Sequence, residues 1–175
     1  MGYLSDLYKF KNTFDFTHYD TTIPSLFPTP EIENKIRFNN IQILCNLFET
    51  HNISYWLVGK TLLSLYKDDG FLFHDHDDDV GIDTKDIAKI PALYKDLQSH
   101  GFRVIRITTN DSMFSIMKDN RYIDICIFHE KNGTYGYEQK WFPKHLFNTF
   151  THKQINNFKY RVPEKSNELL RRMYK

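Results

Sequence analysis

The chain has 175 residues, of which 41% are hydrophobic and 26% are charged, and its formal net charge is +1. This length and composition favour one globular domain and exclude a disordered chain. A net charge near zero predicts no particular partner, and no apolar stretch is long enough to predict a membrane span. Cys45 and Cys126 both lie among apolar residues, so we expect buried free thiols and a cytoplasmic protein.

The N-terminal part divides into an arm and a helix. Residues 1–28 are rich in aromatic side chains and prolines, and we expect an arm that packs over the domain or makes an oligomer contact, with the domain itself at 29–175. Thr29-Pro30-Glu31 predicts a helix start, with Thr29 as the N-cap. Apolar residues then recur at helical spacing, which predicts a helix covering a sheet through Ile32, Ile36, Ile43 and Leu47.

An acidic cluster follows the next two predicted elements. Residues 55–58 read as a strand and 61–66 as a short helix after Gly59. Asp75, Asp77, Asp78 and Asp79 come next, and neighbouring carboxylates resist burial unless a cation binds them. In an extended chain the carboxylates at 75, 77 and 79 share one face, which suits Mg²⁺ or Mn²⁺. The alternative is a solvated acidic turn.

A calcium loop of the EF-hand type is a second interpretation of the same acids. The first three ligand positions match, but the sixth position is Val80 where Gly is required. The twelfth position is Asp86 where a bidentate Glu is required. The pattern therefore argues against this interpretation.

The second half of the chain predicts further strands and two helices. Residues 86–100 read as a helix that ends at Gly101 and that begins at Pro91 if residues 84–89 form a turn. Strands are predicted over 102–108, 112–117 and 121–128, a hairpin or substrate-side loop over 132–137, and a last helix from Ser166 within a basic stretch. Asp124 is embedded in the apolar third strand, so we expect it to be paired or to bind a ligand. The alternative is a solvent-facing acid on an edge strand.

The run from Gly59 to Asp79 resembles the signature of the LicD and fukutin family, G-G-T-L-L-G-x-x-R-x-x-G-x-I-P-W-D-x-D-x-D. The positions that match in register are Gly59, Thr61, Leu62, Leu63, Gly70, Asp75, Asp77 and Asp79. The main departures are Lys60, Ser64, Lys67, Phe73 and His74, which stand where the family has Gly, Gly, Arg, Pro and Trp. An aromatic-Pro step at 142–143, a Val-Pro step at 162–163 and the terminal Tyr174 are also similar to the family pattern.

The resemblance implies a fold and an activity. The fold would be α+β, a nucleotidyltransferase-like mixed β-sheet flanked by helices in a single domain. The activity would be metal-dependent transfer of a phospho-alcohol, of the phosphocholine or polyol phosphate type, from a CDP-linked donor to a glycan, surface polysaccharide or other hydroxyl acceptor. One rival is a nucleotidyltransferase that attaches a nucleoside monophosphate to a small molecule, protein or RNA. The other is a non-catalytic partner subunit. Nucleic acid binding is not expected.

The resemblance also implies roles for individual residues. Asp77, Asp79 and Asp124 would be catalytic and would bind the Mg²⁺ or Mn²⁺ ion. The donor phosphates would lie against the turn and helix after the first strand, at Gly59, Lys60, Thr61, Ser64 and Lys67. Asp75 and His76 would support the site.

Overall fold

The computed structural model describes residues 29–67, 75, 77–108 and 110–174. The expected N-terminal arm at 1–28 and His76 lie outside these residues. In the described part the helices are α1 (Pro30–Thr50), α2 (Gly59–Lys67), α3 (Ile90–Ser99) and α4 (Ser166–Met173). The strands are β1 (Tyr55–Leu57), β2 (Asp77–Asp83), β3 (Arg103–Ile107), β4 (Met113–Lys118), β5 (Arg121–Lys131), β6 (Thr134–Tyr137), β7 (Lys140–Pro143), β8 (Phe150–Ile155) and β9 (Phe158–Pro163).

Seven of these strands form one mixed sheet within the described residues, in the order β1-β2-β5-β4-β3, with β6 paired to the far end of β5 and β7 paired to β6. The pairing of β2 with β5 is parallel and the other pairings are antiparallel. β8 and β9 form a separate hairpin. The predicted mixed sheet flanked by helices is confirmed.

The core lies between the sheet and its helices. Residues without solvent exposure come from each layer, and they include Leu44, Leu57, Ile82, Leu93 and Ile125. A second group of aromatic rings surrounds Trp56 on β1, with ring centroids 5.1 to 5.9 Å from it. This group belongs to Phe128, Tyr135, Phe147 and Phe150 and ties the start of β8 to the main sheet.

Most predicted boundaries agree with the structure to within a few residues. The Thr29 hydroxyl accepts a hydrogen bond from the Ile32 N–H at 3.3 Å, so the predicted N-cap is confirmed. Residues 84–89 form a 3₁₀ turn and α3 begins at Ile90, in agreement with the later of the two predicted starts. The calcium-loop interpretation is wrong, because its residues 77–86 form strand β2 and the first half of this turn. The strands β7, β8 and β9 were not predicted.

The buried face of α1 differs from the prediction. Ile32 is 44% exposed, whereas Glu33, Arg37 and Asn40 are at most 1% exposed. The apolar periodicity therefore identifies the buried face only in the second half of the helix, from Ile41 onward. In the first half the helix packs on charged residues of the sheet, so its charged side chains turn inward.

A buried network of charges joins α1 to the sheet. The Arg37 guanidinium donates to both carboxylate oxygens of Asp78 on β2, at 2.7 and 3.1 Å, and to the Asp77 backbone oxygen at 3.3 Å. Glu33, one turn earlier, lies 2.6 Å from Arg121 at the start of β5. A two-pronged guanidinium–carboxylate pair fixes geometry as well as charge. The network therefore holds β2 in a defined position against the helix.

No helix in the described residues combines the length and the apolar character that crossing a bilayer requires.

We predict that Arg37→Met lowers the free energy of unfolding by about 3–5 kcal/mol, since it leaves the buried Asp78 carboxylate without its counter-ion. Urea unfolding followed by circular dichroism measures the loss. Arg37→Met combined with Asp78→Asn should recover part of it, because the double variant removes the uncompensated charge. Arg171→Met, on the exposed side of α4, is the matched control and should change stability by less than about 0.5 kcal/mol. Equal stabilities of the two single variants would contradict the prediction.

Candidate active site

Three carboxylates converge where β2 and β5 run side by side. Asp79 on β2 is in direct register with Asp124 on β5, and Asp77 is in register with Tyr122. One ligand oxygen from each of Asp77, Asp79 and Asp124 lies within 4.8 Å of the other two. Small side-chain rotations bring oxygens at this spacing around one hard cation. The alternative of an exposed acid on an edge strand is wrong, because β5 lies between β2 and β4 and Asp124 is 5% exposed.

The neighbouring acids have counter-ions supplied by the protein. Asp78 points to the opposite face, as strand alternation predicts, and pairs with Arg37. Asp75 is buried and lies 3.1 Å from the Lys60 ammonium. Asp124 accepts hydrogen bonds from Arg106 and from the Ser115 hydroxyl. In the described part of the chain, Asp77 and Asp79 have no salt bridge of this kind.

The electrostatics of Asp77 and Asp79 reflect this difference. Burial, together with the nearby charges of Asp124, Asp75 and Asp78, raises the pKa of Asp77 to about 7. Burial and the charges of Asp77 and Asp124 raise the pKa of Asp79 well above its ordinary value. Both carboxyl groups would be stabilised in their ionised form by a cation placed between them. Among the described residues this group consists of three carboxylates, a donor set that fits Mg²⁺ or Mn²⁺.

Gly59 places the start of α2 directly against this cluster. Its φ angle is +64°, which favours glycine, and a Cβ atom there would collide with the Asp79 carboxylate. The Asp79 N–H donates to the Thr61 hydroxyl at 2.7 Å, and its carbonyl oxygen accepts from the Val58 N–H at 3.3 Å. The β1–α2 turn therefore fixes both the backbone and the side chain of Asp79.

The residues expected to contact phosphate separate into two groups. Gly59 and Lys60 line the cavity above the acids. Thr61 and Ser64 are buried, and the Ser64 hydroxyl donates to the Thr61 carbonyl oxygen at 3.1 Å. Lys67 is exposed at the end of α2 and is not among the described residues that line the cavity. The hydroxyl groups thus support the turn, and the phosphate contact that the family resemblance implied for Thr61 and Ser64 stays a prediction.

The cavity has a volume of about 640 Å³, within the usual range for small-molecule sites. The acids form one wall, and the other walls come from β3 and β5, from the β6–β7 hairpin and from the end of α4. The described residues that the sequence did not assign to the site include Arg106, Tyr122, Tyr137, Glu138, Lys140, Trp141, Arg172 and Tyr174. Trp141 is 37% exposed and Tyr174 is 44% exposed, so two aromatic rings are open to a ligand here. The sequence signals for these walls were the similarity of Tyr174 and of the aromatic-Pro step at 142–143 to the family pattern, and the predicted hairpin or substrate-side loop at 132–137, which includes Tyr137.

A family model described as LicD/FKTN/FKRP, nucleotidyltransferase domain, matches residues 52–165. The chain belongs to this family. The resemblance found in the Gly59–Asp79 signature is thereby confirmed, and the protein is a transferase with a nucleotidyltransferase-like domain. A comparison with curated proteins gives no match.

Solved structures of ANT(2'')-Ia are similar in fold. The solution structure of this antibiotic-resistance factor aligns with a TM-score of 0.52 and 14% identity, over 74% of this chain and 66% of that one. A crystal structure of ANT(2'')-Ia in complex with adenylyl-2''-tobramycin aligns with a TM-score of 0.55 and 14% identity, over 74% and 70% of the two chains. This chain thus spans about two thirds of the length of ANT(2'')-Ia, and at this identity the likeness shows the fold alone.

We predict that Asp77→Asn stabilises the metal-free protein at about pH 8 and abolishes its stabilisation by Mn²⁺. The pKa of Asp77 rises from 3.8 to about 7 on folding, so the folded state binds more protons in this interval and loses stability as pH increases through it. Above this interval Asp77 is ionised and is repelled by Asp124, Asp75 and Asp78, and the substitution removes this repulsion. The melting temperature without metal should rise by a few degrees, since ~1 kcal/mol corresponds to ~2–4 °C at this size.

Thermal unfolding with EDTA or Mn²⁺, at about pH 5.5 and about pH 8, tests this prediction. Glu164→Gln, an exposed carboxylate away from the cavity, is the control and should behave like the wild type. A melting temperature of Asp77→Asn that still rises with Mn²⁺ as in the wild type would contradict it.

We predict that Gly59→Ala weakens Mn²⁺ binding at least ~10-fold, because the new methyl group displaces the Asp79 carboxylate. Gly133→Ala is a matched control, since Gly133 has a φ of +73° and open space around a Cβ. The free energy of unfolding should fall by about 1 kcal/mol in both variants, because alanine is strained at a positive φ. Only Gly59→Ala should lose Mn²⁺ affinity in an electron paramagnetic resonance titration. Equal affinities of the two variants would show that the collision does not move Asp79.

Proposed function

We propose that this protein is a metal-dependent transferase of the cytoplasm. It moves a phospho-alcohol, of the phosphocholine or polyol phosphate type, from a CDP-linked donor to a hydroxyl group on a glycan or other acceptor. The observation that carries the proposal is the convergence of Asp77, Asp79 and Asp124 in one cavity of a LicD/FKTN/FKRP domain. The buried free thiols of Cys45 and Cys126 support a reducing compartment.

Asp77, Asp79 and Asp124 would hold Mg²⁺ or Mn²⁺ through one oxygen each. When bound, such an ion supplies charge neutralisation for a transferring phosphoryl group and its leaving group. Asp124 is suited to bind the ion because Arg106 and Ser115 fix the position of its carboxylate. Their hydrogen bonds use only part of its acceptor capacity and leave the rest for the ion. Asp75 supports the site through its pair with Lys60.

The start of α2 is suited to bind the donor diphosphate. Gly59 and Lys60 are its first residues, and N–H groups in the first turn of a helix have no partner within the helix and favour anions. Both residues line the cavity, and the Lys60 side chain is 55% exposed. Lys140, on the β6–β7 hairpin, adds a second ammonium group to the same cavity. The phosphates would therefore lie between the acids and these two lysines.

In the proposed reaction the acceptor oxygen forms a bond to the phosphorus that carries the alcohol. The bond from this phosphorus to the bridging oxygen breaks, and CMP leaves with that oxygen. The hydroxyl proton passes to a carboxylate of the cluster or to water. The exposed rings of Trp141 and Tyr174 offer flat apolar faces to the acceptor.

Nucleotidyl transfer is the second candidate function. The complex of ANT(2'')-Ia with adenylyl-2''-tobramycin contains a product of such a transfer on the same fold, and the acids found here would serve that reaction as well. The two reactions differ in which phosphorus is attacked, so their products separate them.

Incubation with Mn²⁺ and CDP-choline, CDP-ribitol or CDP-glycerol, with release of CMP as the measurement, tests the proposal. We expect CMP from at least one donor in the presence of a glycan acceptor, and a rate at least ~100-fold lower for Asp79→Asn. Glu164→Gln should retain the wild-type rate. Consumption of nucleoside triphosphates without release of CMP from any CDP-alcohol would favour nucleotidyl transfer. Neither reaction, together with no Mn²⁺ binding, would indicate a non-catalytic member of the family.

A further inference from the structure

A row of polar side chains crosses four neighbouring strands on the face of the acid cluster. In the sheet register, Arg106 on β3 lies opposite Ser115 on β4, Ser115 lies opposite Asp124 on β5, and Asp124 lies opposite Asp79 on β2. Directly opposed residues on adjacent strands place their side chains on one face. Arg106 therefore belongs to the site, although it is far along the sheet from β2.

A β-bulge is responsible for this position of Arg106. The pairing of β3 with β4 runs from Val104 with Ile116 to Arg106 with Ser115, so Ile105 has no opposed residue. In a regular ladder Ile105 would lie opposite Ser115 and its side chain would share the face with Asp124. A bulge inserts one residue and redirects the side chains that follow it. Here it puts a guanidinium group where regular pairing would put an isoleucine.

The contacts of Arg106 use only part of its donor capacity. Its Nη2 donates to both oxygens of Asp124, at 2.9 and 2.7 Å, and its Nε donates to the Ser115 hydroxyl at 3.0 Å. A guanidinium has five N–H donors, and those on Nη1 have no acceptor in the described part of the chain. The side chain is 40% exposed and lines the cavity. Arg106 is thus fixed in position and still has two donors for a ligand.

The net charge of the cavity lining depends on whether a metal ion is bound, and this charge decides whether an anion is favoured there. Five acidic and four basic side chains of the described residues line it, which gives a formal charge of −1. One divalent ion at the acids changes this sum to +1. An anionic ligand is then favoured, and the wall at Arg106 offers a cation on the opposite side of Asp124 from β2.

We propose that Arg106 binds a phosphate group of the donor through its unused Nη1 donors while its Nη2 holds Asp124 in place. The inference rests on the proposed function only in that the ligand carries a diphosphate. Arg is suited to this double role because its planar fork presents donors in two directions, whereas Lys offers a single point charge.

The test measures binding to the full-length protein by calorimetry in excess Mn²⁺, with CDP as the probe and cytidine as its phosphate-free counterpart. We expect Arg106→Gln to weaken CDP binding at least ~10-fold and to change cytidine binding less than ~2-fold, since one charge-assisted hydrogen bond is worth ~1.5–3 kcal/mol. The CDP affinity of Arg106→Lys should lie between that of the wild type and that of Arg106→Gln. Arg103→Gln, on the same strand but not among the described cavity residues, is the matched control and should bind CDP as the wild type does.

Mn²⁺ affinity without nucleotide and the melting temperature separate phosphate binding from a structural role. Arg106→Gln should change Mn²⁺ affinity as well, because Nη2 holds Asp124, but if Arg106 binds phosphate the loss of CDP affinity should exceed that change at least ~3-fold. An equal loss of CDP and cytidine binding, or CDP binding like that of the wild type, would overturn the inference. Failure of the wild type to bind either CDP or inorganic diphosphate with Mn²⁺ would also overturn it. CDP binding that depends on Arg106, without release of CMP from any CDP-alcohol, would sustain the inference and refute the proposed function.

Discussion

Repulsion among the carboxylates at 75, 77, 78, 79 and 124 is the constraint on which the architecture of this protein depends. Three of the five are neutralised by side chains from three different elements, namely Lys60 of α2, Arg37 of α1 and Arg106 of β3. The carboxylates of Asp77 and Asp79 have no such partner in the described residues and carry raised pKa values. The protein thus concentrates its uncompensated charge at one point, between two strands whose parallel register is fixed.

The neutralising side chains also determine geometry. Arg37 of α1 pairs with Asp78 on the face of the sheet opposite the acid cluster, and the Thr61 hydroxyl of α2 accepts a hydrogen bond from the Asp79 N–H. Both helices therefore hold β2 in position. Neighbouring residues of this strand face opposite sides, and the buried pair at Asp78 therefore sets the direction of Asp77 and Asp79. Repulsion between these carboxylates destabilises the metal-free protein, and a bound cation would remove this destabilisation. Such local instability is common at functional sites.

The sequence was sufficient for the parts of the site that depend on local pattern. Alternation separated Asp77 and Asp79 from Asp78, and the apolar run around Asp124 predicted that this acid is paired or binds a ligand; the structure pairs it with Arg106. The sequence failed where long-range pairing decides. Arg37 and Glu33 look like solvent-facing residues of an amphipathic helix until β2 and Arg121 are placed beneath them.

Arg106 was missed for a similar reason. The Arg-Val-Ile-Arg-Ile stretch was predicted simply as part of a strand, and without the partner strand its sequence does not locate the bulge that brings both arginines to one face. The sequence predicted a hairpin or substrate-side loop over 132–137, but it did not assign β7 or the end of α4 to the cavity, because their positions follow from packing between segments distant in the chain. The contacts of the Thr61 and Ser64 hydroxyls with backbone groups were not predicted either, because they depend on how α2 packs against β2 and on the geometry of its first turn.

The division of the cavity between two kinds of wall has a consequence for the divergence of related sequences. The acid wall belongs to central strands whose register and charge network tolerate little change. The facing wall consists of a two-residue hairpin turn at Glu138 and Gln139 and the last turn of a terminal helix, both at the surface. Substitutions and insertions there leave the sheet intact. The outer part of the cavity can therefore change its shape and charge while the acid cluster keeps its geometry.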